Sequence, residues 1–247
     1  PERIEVGLFH SPQYTSLMQK GVFIVLDGND GSGKATQTEL LSRALAEGGR
    51  KSIKMDFPAY DRNFFGALVG ECLAGKHGDF VHLDPKIASS LYALDRLESS
   101  AAIKETLAAG TVVLADRFSS SNQIHQGGKI ADETEREDFL LWLATMEHEV
   151  LGIPRPDAII YLRVPVETSL GLLIEKRAQK NAALGDVPRD TVEEDRNYLE
   201  RSHATANWLA SRESNWHIID CMDEGKMRTR ESIHADVLEV VENLVAA

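Results

Sequence analysis

The stretch Gly28-Asn29-Asp30-Gly31-Ser32-Gly33-Lys34-Ala35-Thr36 has the spacing Gly-x-x-x-x-Gly-Lys of a phosphate-binding loop, or P-loop. An apolar run at residues 22–26 precedes it and predicts a buried parallel strand. Apolar residues at helical spacing follow it, so the loop is expected to join a strand to a helix. In that setting glycines let backbone N–H groups point at a polyphosphate, and Lys34 reaches its outer phosphates.

One position departs from the motif. Ala35 stands where a Ser or Thr hydroxyl normally holds Mg²⁺, and the hydroxyl of Thr36 comes one residue later. A metal ion at this loop therefore needs other ligands or binds through water.

The composition restricts the class of protein. With 247 residues, 43% of them hydrophobic, the chain is long enough for one α/β domain. No apolar run approaches the roughly 20 residues of a membrane span, so no membrane partner is expected. A net charge of −12 argues against DNA or RNA as a partner. Local cations can still bind a small phosphate compound, because salt screens charges beyond about 8 Å.

The two cysteines, Cys72 and Cys221, have neither metal-ligand nor redox spacing, which indicates reduced thiols in a cytoplasmic protein. Residues 1–20 lack the basic start and apolar middle of a signal peptide and are expected to form a loosely ordered N-terminal extension. We interpret residues 21–247 as a single domain. A polar stretch with Gly185 and Pro188 predicts a mobile lid, at about residues 176–192.

Strands and helices alternate along the domain. Strands are predicted at 22–26, 53–57, 111–115, 158–162 and 216–220. Helices are predicted after the P-loop and at 63–74, 85–109, 134–150, 166–180 and 229–245. This order predicts a three-layer α/β fold of the P-loop NTPase type, a parallel sheet with helices on both faces and ligands at the carboxyl ends of the strands.

Three predicted strands are followed by polar, charged or aromatic residues that could form a ligand site. The first ends at Asp27 and the P-loop, the second at residues 57–60, and the third at Asp116-Arg117-Phe118. Asp116 is placed like the carboxylate that faces the metal in P-loop enzymes, and Arg117 could grip a phosphate with two N–H groups. The alternative for these two residues is a salt bridge at the strand end.

A second ligand surface is predicted on the helix at 85–109. Tyr92 and Arg96 are four residues apart, so they share a face about 6 Å apart. A flat aromatic ring and a planar guanidinium suit a nucleobase, since one stacks and the other hydrogen-bonds a carbonyl. An ordinary aromatic–arginine helix pair is the alternative.

Taken together, these motifs resemble the thymidylate kinase family of P-loop nucleoside monophosphate kinases. The matching pieces, in family order, are Gly28–Thr36, Phe57-Pro58-x-Tyr60, Tyr92-Ala-Leu-Asp95-Arg96, Asp116-Arg117-Phe118 with Ser121-Asn122, Pro156-Asp157, and Asp190-Thr-Val-Glu193. The resemblance implies transfer of the γ-phosphate of ATP to dTMP with Mg²⁺, giving dTDP and ADP for dTTP biosynthesis. It also implies a homodimer packed through helices.

The resemblance assigns roles to individual residues. Asp30 resembles the P-loop carboxylate that faces the acceptor, and Arg117 resembles the binder of the acceptor phosphate. Arg96 resembles the arginine that reads the thymine edge, with Tyr92 stacking on the base and Phe57 lining its pocket. Ser121 and Asn122 resemble the polar pair beneath the base. The implied acceptor-binding set is Asp30, Phe57, Tyr60, Tyr92, Arg96, Arg117, Ser121, Asn122 and His125. The implied ATP-binding set is Gly28, Asn29, Asp30, Gly31, Ser32, Gly33, Lys34, Ala35 and Thr36.

Catalysis in this family needs a mobile arginine, supplied either by the P-loop next to its Asp or by the lid. Gly31 occupies the P-loop position, so the lid must supply the cation, and Arg177 best resembles the family's lid arginine. The alternative for Arg177 is a solvated basic helix end. The catalytic set is Lys34, Asp30, Arg117 and Arg177, and the metal-side acids are Asp30, Asp116 and Glu193.

Three acceptor-side positions depart from the family pattern. Ala59 stands where an Arg often follows Phe-Pro, Phe118 stands where Tyr is usual, and His125 stands where an aromatic residue that discriminates deoxyribose is common. A kinase for another nucleoside monophosphate or a deoxynucleoside is therefore one alternative function. A nucleotide-binding homologue without catalysis is another, although the retained Lys34 and Arg117 oppose it.

Overall fold

The structure is a computed structural model that describes residues 21–184 and 196–246. Side chains are described for all of these except 176–184 and 246. The expected N-terminal extension, residues 1–20, lies outside the described residues. Within the described part, no helix combines the length and the apolar character needed to span a bilayer.

Five strands form one parallel sheet in which the P-loop strand is central. The strands are β1 (Phe23–Gly28), β2 (Ser52–Asp56), β3 (Val112–Asp116), β4 (Ala158–Arg163) and β5 (Trp216–Asp220). Their order is β2-β3-β1-β4-β5. Leu26 of β1 pairs with Asp116 of β3, so the chemically important ends of these two strands lie side by side. The prediction of a parallel α/β sheet is confirmed.

Alternate residues of β1 supply the two apolar layers. Phe23 and Val25 belong to one buried cluster, and Ile24 and Leu26 belong to another. Because side chains along a strand point alternately to opposite faces, a continuously apolar strand is buried on both sides. Each of these four residues is fully buried, as a central parallel strand requires.

Helices cover both faces of the sheet. Their bounds are α1 (Lys34–Glu47), α2 (Phe64–Leu73), α3 (Pro85–Ala108), α4 (Ser119–His125), α5 (Glu133–Ala144), α6 (Val166–Leu184), α7 (Arg196–Ala210) and α8 (Arg230–Ala246). Leu41 of α1 and Val237 of α8 pack with the Ile24 layer. Ile103 of α3 and Leu209 of α7 pack with the Phe23 layer. The three-layer arrangement is therefore confirmed.

The sequence did not predict α4, α7 or the short hairpin of β6 (Met222–Asp223) and β7 (Lys226–Met227). Helix α4 begins with three serines, residues that favour caps and turns over helix interiors. Helix α7 buries polar and small residues as well as apolar ones, including Ser202, Thr205 and Ala206. A purely apolar periodicity therefore overlooks it.

The helix predicted over 134–150 is two elements. Helix α5 ends at Ala144, and Thr145–Val150 form a wider π-helical turn. The helix predicted over 166–180 continues to Leu184, so the first part of the expected lid is helical in its backbone. The remainder of the lid, residues 185–192, lies outside the described residues.

A close approach at Gly66 fixes the loop that follows β2. A Cβ at Gly66 would lie 2.4 Å from the carbonyl oxygen of Ala59 and 2.8 Å from Oδ1 of Asp95. The same carboxylate accepts a hydrogen bond of 3.1 Å from the Ala59 backbone N–H. Helix α2 can therefore pack closely against the 57–60 loop because residue 66 has no side chain.

We expect Gly66→Ala to lower the free energy of unfolding by about 1–3 kcal/mol, because backbone must move to admit the methyl group. Gly171 is the matched control, since it is also helical and a Cβ there meets nothing within 4 Å. Gly171→Ala should raise stability by about 0.5–1 kcal/mol through helix propensity. Urea titration followed by circular dichroism measures both, and a Gly66→Ala protein as stable as wild type contradicts the packing described here.

Candidate active site

The P-loop connects the end of β1 to the start of α1 through three glycines with positive φ. Gly28, Gly31 and Gly33 have φ values of 148°, 84° and 95°, a region that favours glycine. A Cβ at Gly31 would lie 2.8 Å from the carbonyl oxygen of Ser169, so α6 passes directly against the loop. The loop thus offers backbone N–H groups at a helix N-terminus, which is an anion-binding arrangement.

Lys34 is buried at the first position of α1. Its Nζ donates to the carbonyl oxygens of Gly28, at 2.9 Å, and Asn29, at 3.0 Å, and lies 3.5 Å from Oδ1 of Asp30. Burial, and next the charge of Arg117, lower the pKa of this lysine. The ammonium group therefore bridges two carbonyl oxygens of the loop, at the position where it could also contact a phosphate.

Asp30 and Arg117 form an ion pair at the mouth of the P-loop. Nη2 of Arg117 donates to Oδ1 of Asp30 at 2.7 Å. Burial alone would raise the pKa of Asp30, but the charges of Arg117 and Lys34 outweigh it and hold that pKa well below its usual range. Arg117 has a φ of 67°, unusual for a residue with a side chain, and such strain concentrates at functional sites.

Asp27 is the buried anchor of this cluster. Its carboxylate accepts 2.8 Å from the Gly28 N–H and 2.7 Å from each of the Ser120 and Ser121 hydroxyls. Nη1 of Arg117 lies 3.4 Å from Oδ1 of Asp27. One carboxylate thereby joins the P-loop to the start of α4.

An inner cavity lies beneath this ion pair, among α3, α4, α7 and the loop after β2. Its lining is aromatic and apolar on several sides, with a small set of polar groups. The lining residues are Asn29, Asp30, Phe57, Pro58, Tyr60, Leu73, Tyr92, Asp95, Arg96, Arg117, Phe118, Ser121, Asn122, His125, Gln126, Tyr198 and Leu199. All nine residues of the expected acceptor-binding set are among them.

Several of these polar residues were expected to contact the base. In the structure each of them also hydrogen-bonds another protein side chain. Ser121 donates to Asp27, as described above. Arg96 is buried and makes a two-pronged ion pair with Glu147, with Nε to Oε2 at 3.1 Å and Nη2 to Oε1 at 2.6 Å. Asn122 donates to the same carboxylate at 2.8 Å. Glu147 lies in the π-helical turn, and the sequence did not indicate that it would contact these residues.

Aromatic rings form the walls of the inner cavity. Phe118 packs edge-on against Phe57, with ring centroids 5.1 Å apart, and against Phe23, at 4.8 Å. Phe118 is fully buried, so a phenyl ring without a hydroxyl needs no polar partner there. Tyr92 packs at a tilt against Phe80, with centroids 5.6 Å apart. Flat apolar walls of this kind suit a planar ligand.

His125 lies between Arg117 and α7. Because Arg117 can only donate, the 3.2 Å contact with its Nη1 makes Nε2 of His125 an acceptor, and Nδ1 lies 3.2 Å from the Ser202 hydroxyl. The imidazole stacks on Tyr198 at 5.7 Å, with the rings 5° from parallel. Burial, and next the charge of Arg117, lower the pKa of His125 to about 4. The neutral imidazole is thus a built-in acceptor for Arg117.

A second cavity, the P-loop cavity, opens above the loop. It is lined by residues 30–37 of the loop and α1, by Asp116, by Leu172 and Glu175 of α6, and by residues 227–230 beside the hairpin. Asp30, Phe57, Pro58, Tyr60 and Arg117 line both cavities. The two cavities therefore meet at the Asp30–Arg117 ion pair, where a group on one ligand can face a group on the other.

Asp116 faces the P-loop cavity from the end of β3. Burial raises the pKa of its carboxyl, although Lys34 and Arg117 oppose that effect. Among the described residues, no three His, Cys, Asp or Glu side chains are grouped so that they could hold a metal ion. Residue Glu193 and the side chain of Arg177 lie outside the described part of the structure.

Five lining or supporting residues were missed from the sequence: Leu73, Gln126, Glu147, Tyr198 and Leu199. Gln126 is buried, and its Oε1 has no hydrogen-bond partner. Tyr198 and Leu199 belong to α7, which the sequence did not predict. For Gln126, the sequence signal was its place directly after His125, one helical turn from Asn122.

Comparisons with known proteins point to thymidylate kinases. A family model described as thymidylate kinase matches residues 26–233. A thymidylate kinase of Mycobacterium tuberculosis (strain ATCC 25618 / H37Rv) is 29% identical over 209 residues, which cover 83% of this chain and 95% of that protein. A thymidylate kinase of Danio rerio is 25% identical over 230 residues, covering 92% and 93%.

A solved structure shares the fold. The thymidylate kinase of Candida albicans superposes with a TM-score of 0.67 at 21% identity, over 91% of this chain and 92% of that one. Its description reports a broad substrate specificity and a novel structural element. At this identity the match supports the fold alone.

The lowered pKa of His125 predicts a pH dependence of stability. Between pH 6.5 and about 4 the unfolded chain takes up a proton that the folded chain does not, so the free energy of unfolding falls as the pH falls. From pH 7.5 to pH 5 we expect this effect to amount to about 2 kcal/mol. His125→Gln, which does not titrate, should lose less stability than wild type by that amount.

Urea denaturation of both proteins at several pH values measures the difference. Other partly buried histidines, such as His148 and His203, are present in both proteins and cancel in the comparison. Parallel stability curves for wild type and His125→Gln contradict a neutral imidazole at this position.

Proposed function

The chain belongs to the thymidylate kinase family, which makes it a nucleoside monophosphate kinase, and we propose that it transfers the γ-phosphate of ATP to dTMP. The observation that carries this proposal is the junction of the two cavities at Asp30 and Arg117. A donor triphosphate on the P-loop and an acceptor monophosphate in the inner cavity would present their phosphates to each other at that junction.

The acceptor would enter the inner cavity with its base between the aromatic walls and its phosphate at Arg117. An entering phosphate competes with Asp30 for the guanidinium, which is already positioned at the cavity mouth by Asp27 and His125. Arg96 would donate to a base carbonyl, and Asn122 and Gln126 would supply acceptors. The buried, unpartnered Oε1 of Gln126 supports a ligand with an N–H group.

In the reaction, an oxygen of the acceptor phosphate forms a bond to the γ-phosphorus of ATP while the bond to the bridging β–γ oxygen breaks, and ADP leaves. Such transfer spreads negative charge over the migrating group, so catalysis consists mainly of positioning and cationic stabilisation. Lys34, at the loop, and Arg117, at the junction, are the described cations suited to that task.

We propose Mg²⁺ as the metal that accompanies ATP. Asp116 faces the P-loop cavity with a carboxylate that forms no ion pair with any arginine whose side chain is described, and carboxylate oxygen is a ligand that Mg²⁺ prefers. Because Mg²⁺ commonly keeps water and substrate phosphates as ligands, one or two protein carboxylates are sufficient. The bound ion supplies charge neutralisation to the phosphates. Asp30 and Glu193 stay in the proposal as further metal-side acids.

We further propose that Arg177 completes the site from the lid. The helix that carries it, α6, lines the P-loop cavity at Leu172 and Glu175 and touches the loop at Gly31. A cation two residues beyond Glu175 is therefore on an element already at the cavity. Lys180 and Arg189 are the neighbouring cations that could act in its place.

The cellular setting and assembly are part of the proposal. Cys72 and Cys221 are free thiols, which supports a reducing cytoplasm. We propose a homodimer, as the family resemblance implies, to which exposed apolar side chains such as those of Ile87, Leu141 and Val150 would supply apolar area.

A coupled assay of ADP release with dTMP, dUMP, dCMP and AMP tests the function. We expect dTMP to be the preferred acceptor. Lys34→Met should lower kcat by roughly 10²–10³, because one preorganised charge contact is worth about that factor. Lys54→Met is the control, since Lys54 is an exposed partner of Glu39. Preference for another acceptor supports a different kinase, and absence of turnover with every acceptor supports a non-catalytic homologue.

We expect Arg177→Ala to lower kcat by roughly 10³ or more, as the loss of an arginine finger does. The affinity for dTMP alone should change little, because the cation acts when the lid closes over ATP. Arg177→Lys should recover little activity, since an ammonium lacks the planar fork. Steady-state kinetics with dTMP calorimetry measure this, and a wild-type kcat transfers the role to Lys180 or Arg189.

A further inference from the structure

Glu147 is a fully buried carboxylate that none of the roles above uses. Its side chain is 0% exposed, and it hydrogen-bonds Arg96 and Asn122, two residues that line the inner cavity. An isolated buried ion pair adds little net stability compared with apolar packing, whereas an unpaired buried charge costs a great deal. A carboxylate in this position therefore indicates that it fixes its two neighbours in a particular arrangement.

Arg96 is the first of the two neighbours that Glu147 fixes. The guanidinium uses Nε and Nη2 for the two-pronged contact with Glu147, and its Nη1 lies 3.4 Å from the carbonyl oxygen of Phe118. Two parallel hydrogen bonds fix the plane of the group as well as its position. Arginine has no acceptor, so at this point the cavity wall offers a donor with a fixed direction.

Asn122 is the second neighbour that Glu147 fixes. Its Nδ2 donates to the carbonyl oxygen of Ser89, at 3.1 Å, and to Oε1 of Glu147, at 2.8 Å. Both partners are acceptors, so the amide cannot be turned around without losing both hydrogen bonds. With both N–H groups occupied, Asn122 can offer a ligand only its carbonyl oxygen, an acceptor.

The local backbone supports this assignment. The chain widens into the π-helical turn Thr145–Val150 at the point where Glu147 turns inward, and the Ile153 N–H donates to the Glu147 carbonyl oxygen at 2.8 Å. Two residues later, Glu149 is exposed and lies 3.8 Å from Arg155. Single π-turns within helices are rare and occur frequently at functional sites.

We propose that Glu147 is a positioning residue that determines which base edge the inner cavity accepts. By fixing Arg96 as a donor and Asn122 as an acceptor, it selects an edge with a carbonyl beside an N–H, as in thymine and uracil. Cytosine presents an amino donor and a ring-nitrogen acceptor at the same positions, so each group would meet its own kind. This inference rests on the proposed function, because it assumes that a pyrimidine base occupies the cavity.

The test compares dUMP with dCMP, which both lack the methyl group and differ only in the edge. In Glu147→Gln, an amide N–H₂ replaces one acceptor, so Arg96 faces a donor in either orientation of the amide and must move, and in one of the two orientations Asn122 faces that donor as well. We expect the ratio of dUMP to dCMP affinity, measured by calorimetry, to fall about 10-fold or more, the scale of one charged hydrogen bond. The KM for ATP should stay within about twofold, because ATP binds on the P-loop and gains no base-edge contact from Glu147.

Glu149→Gln is the matched control, since it makes the same substitution on the same turn at an exposed carboxylate, and its ratio should equal that of wild type. Glu147→Asp covers the case in which the glutamine variant does not fold, because it keeps the buried charge but withdraws it by one methylene. It should show an intermediate ratio. Thermal melting reports folding for each variant.

An unchanged dUMP-to-dCMP ratio in folded Glu147→Gln, or in Glu147→Asp where the former is unfolded, overturns the inference. So does an equal loss of affinity for both nucleotides, which is the signature of a merely structural residue. Failure of the proposed function is separate from both results. It would appear in wild type, as the absence of phosphoryl transfer to dTMP, whereas the calorimetric ratio needs no turnover.

Discussion

The site depends on one buried carboxylate, that of Asp27 at the end of the central strand. It accepts from the Gly28 N–H at the start of the P-loop, from the hydroxyls of Ser120 and Ser121 at the start of α4, and lies beside Arg117. A buried charge is tolerated only when its lone pairs are satisfied, so these contacts are mutually required. The P-loop and α4 consequently keep a fixed relative position.

The sheet topology makes that contact possible. β1 and β3 are adjacent and parallel, so the residues that follow them emerge at the same edge, with Leu26 opposite Asp116. Arg117 is the next residue along, and its left-handed backbone turns the chain into α4. Around it, the charges of Asp30, Asp27 and Lys34 are arranged so that each positive group touches a negative one before any ligand binds. In the proposed function a phosphate would replace an existing partner here, which limits the reorganisation that binding requires.

The local geometry of the P-loop could be predicted from the sequence. Glycine spacing, an apolar strand and a helical period are local signals, and the backbone itself supplies the N–H groups. The position of Lys34 against the carbonyl oxygens of Gly28 and Asn29 follows from the same few residues. The five strands were also found, because buried parallel strands read as continuous apolar runs.

The base half was predicted only in part, since its geometry depends on contacts between residues far apart in the chain. Arg96 and Asn122 were identified, but their common partner, Glu147, comes from a turn that periodicity assigned to an ordinary helix. Ser121 was assigned to the base, and its hydroxyl donates to Asp27. Helix α7, with Tyr198 and Ser202 beside His125, was overlooked because its buried face is partly polar.

This contrast has a physical origin that bears on how specificity is built. A phosphate is recognised by charge and by backbone N–H groups, which many side chains can surround without changing the result. A base edge is recognised by the direction of each donor and acceptor, and a side-chain amide or guanidinium has a direction only when a further group fixes it. In this chain that group is Glu147 for both Arg96 and Asn122. Selectivity for the base therefore depends on a residue that the base itself does not touch.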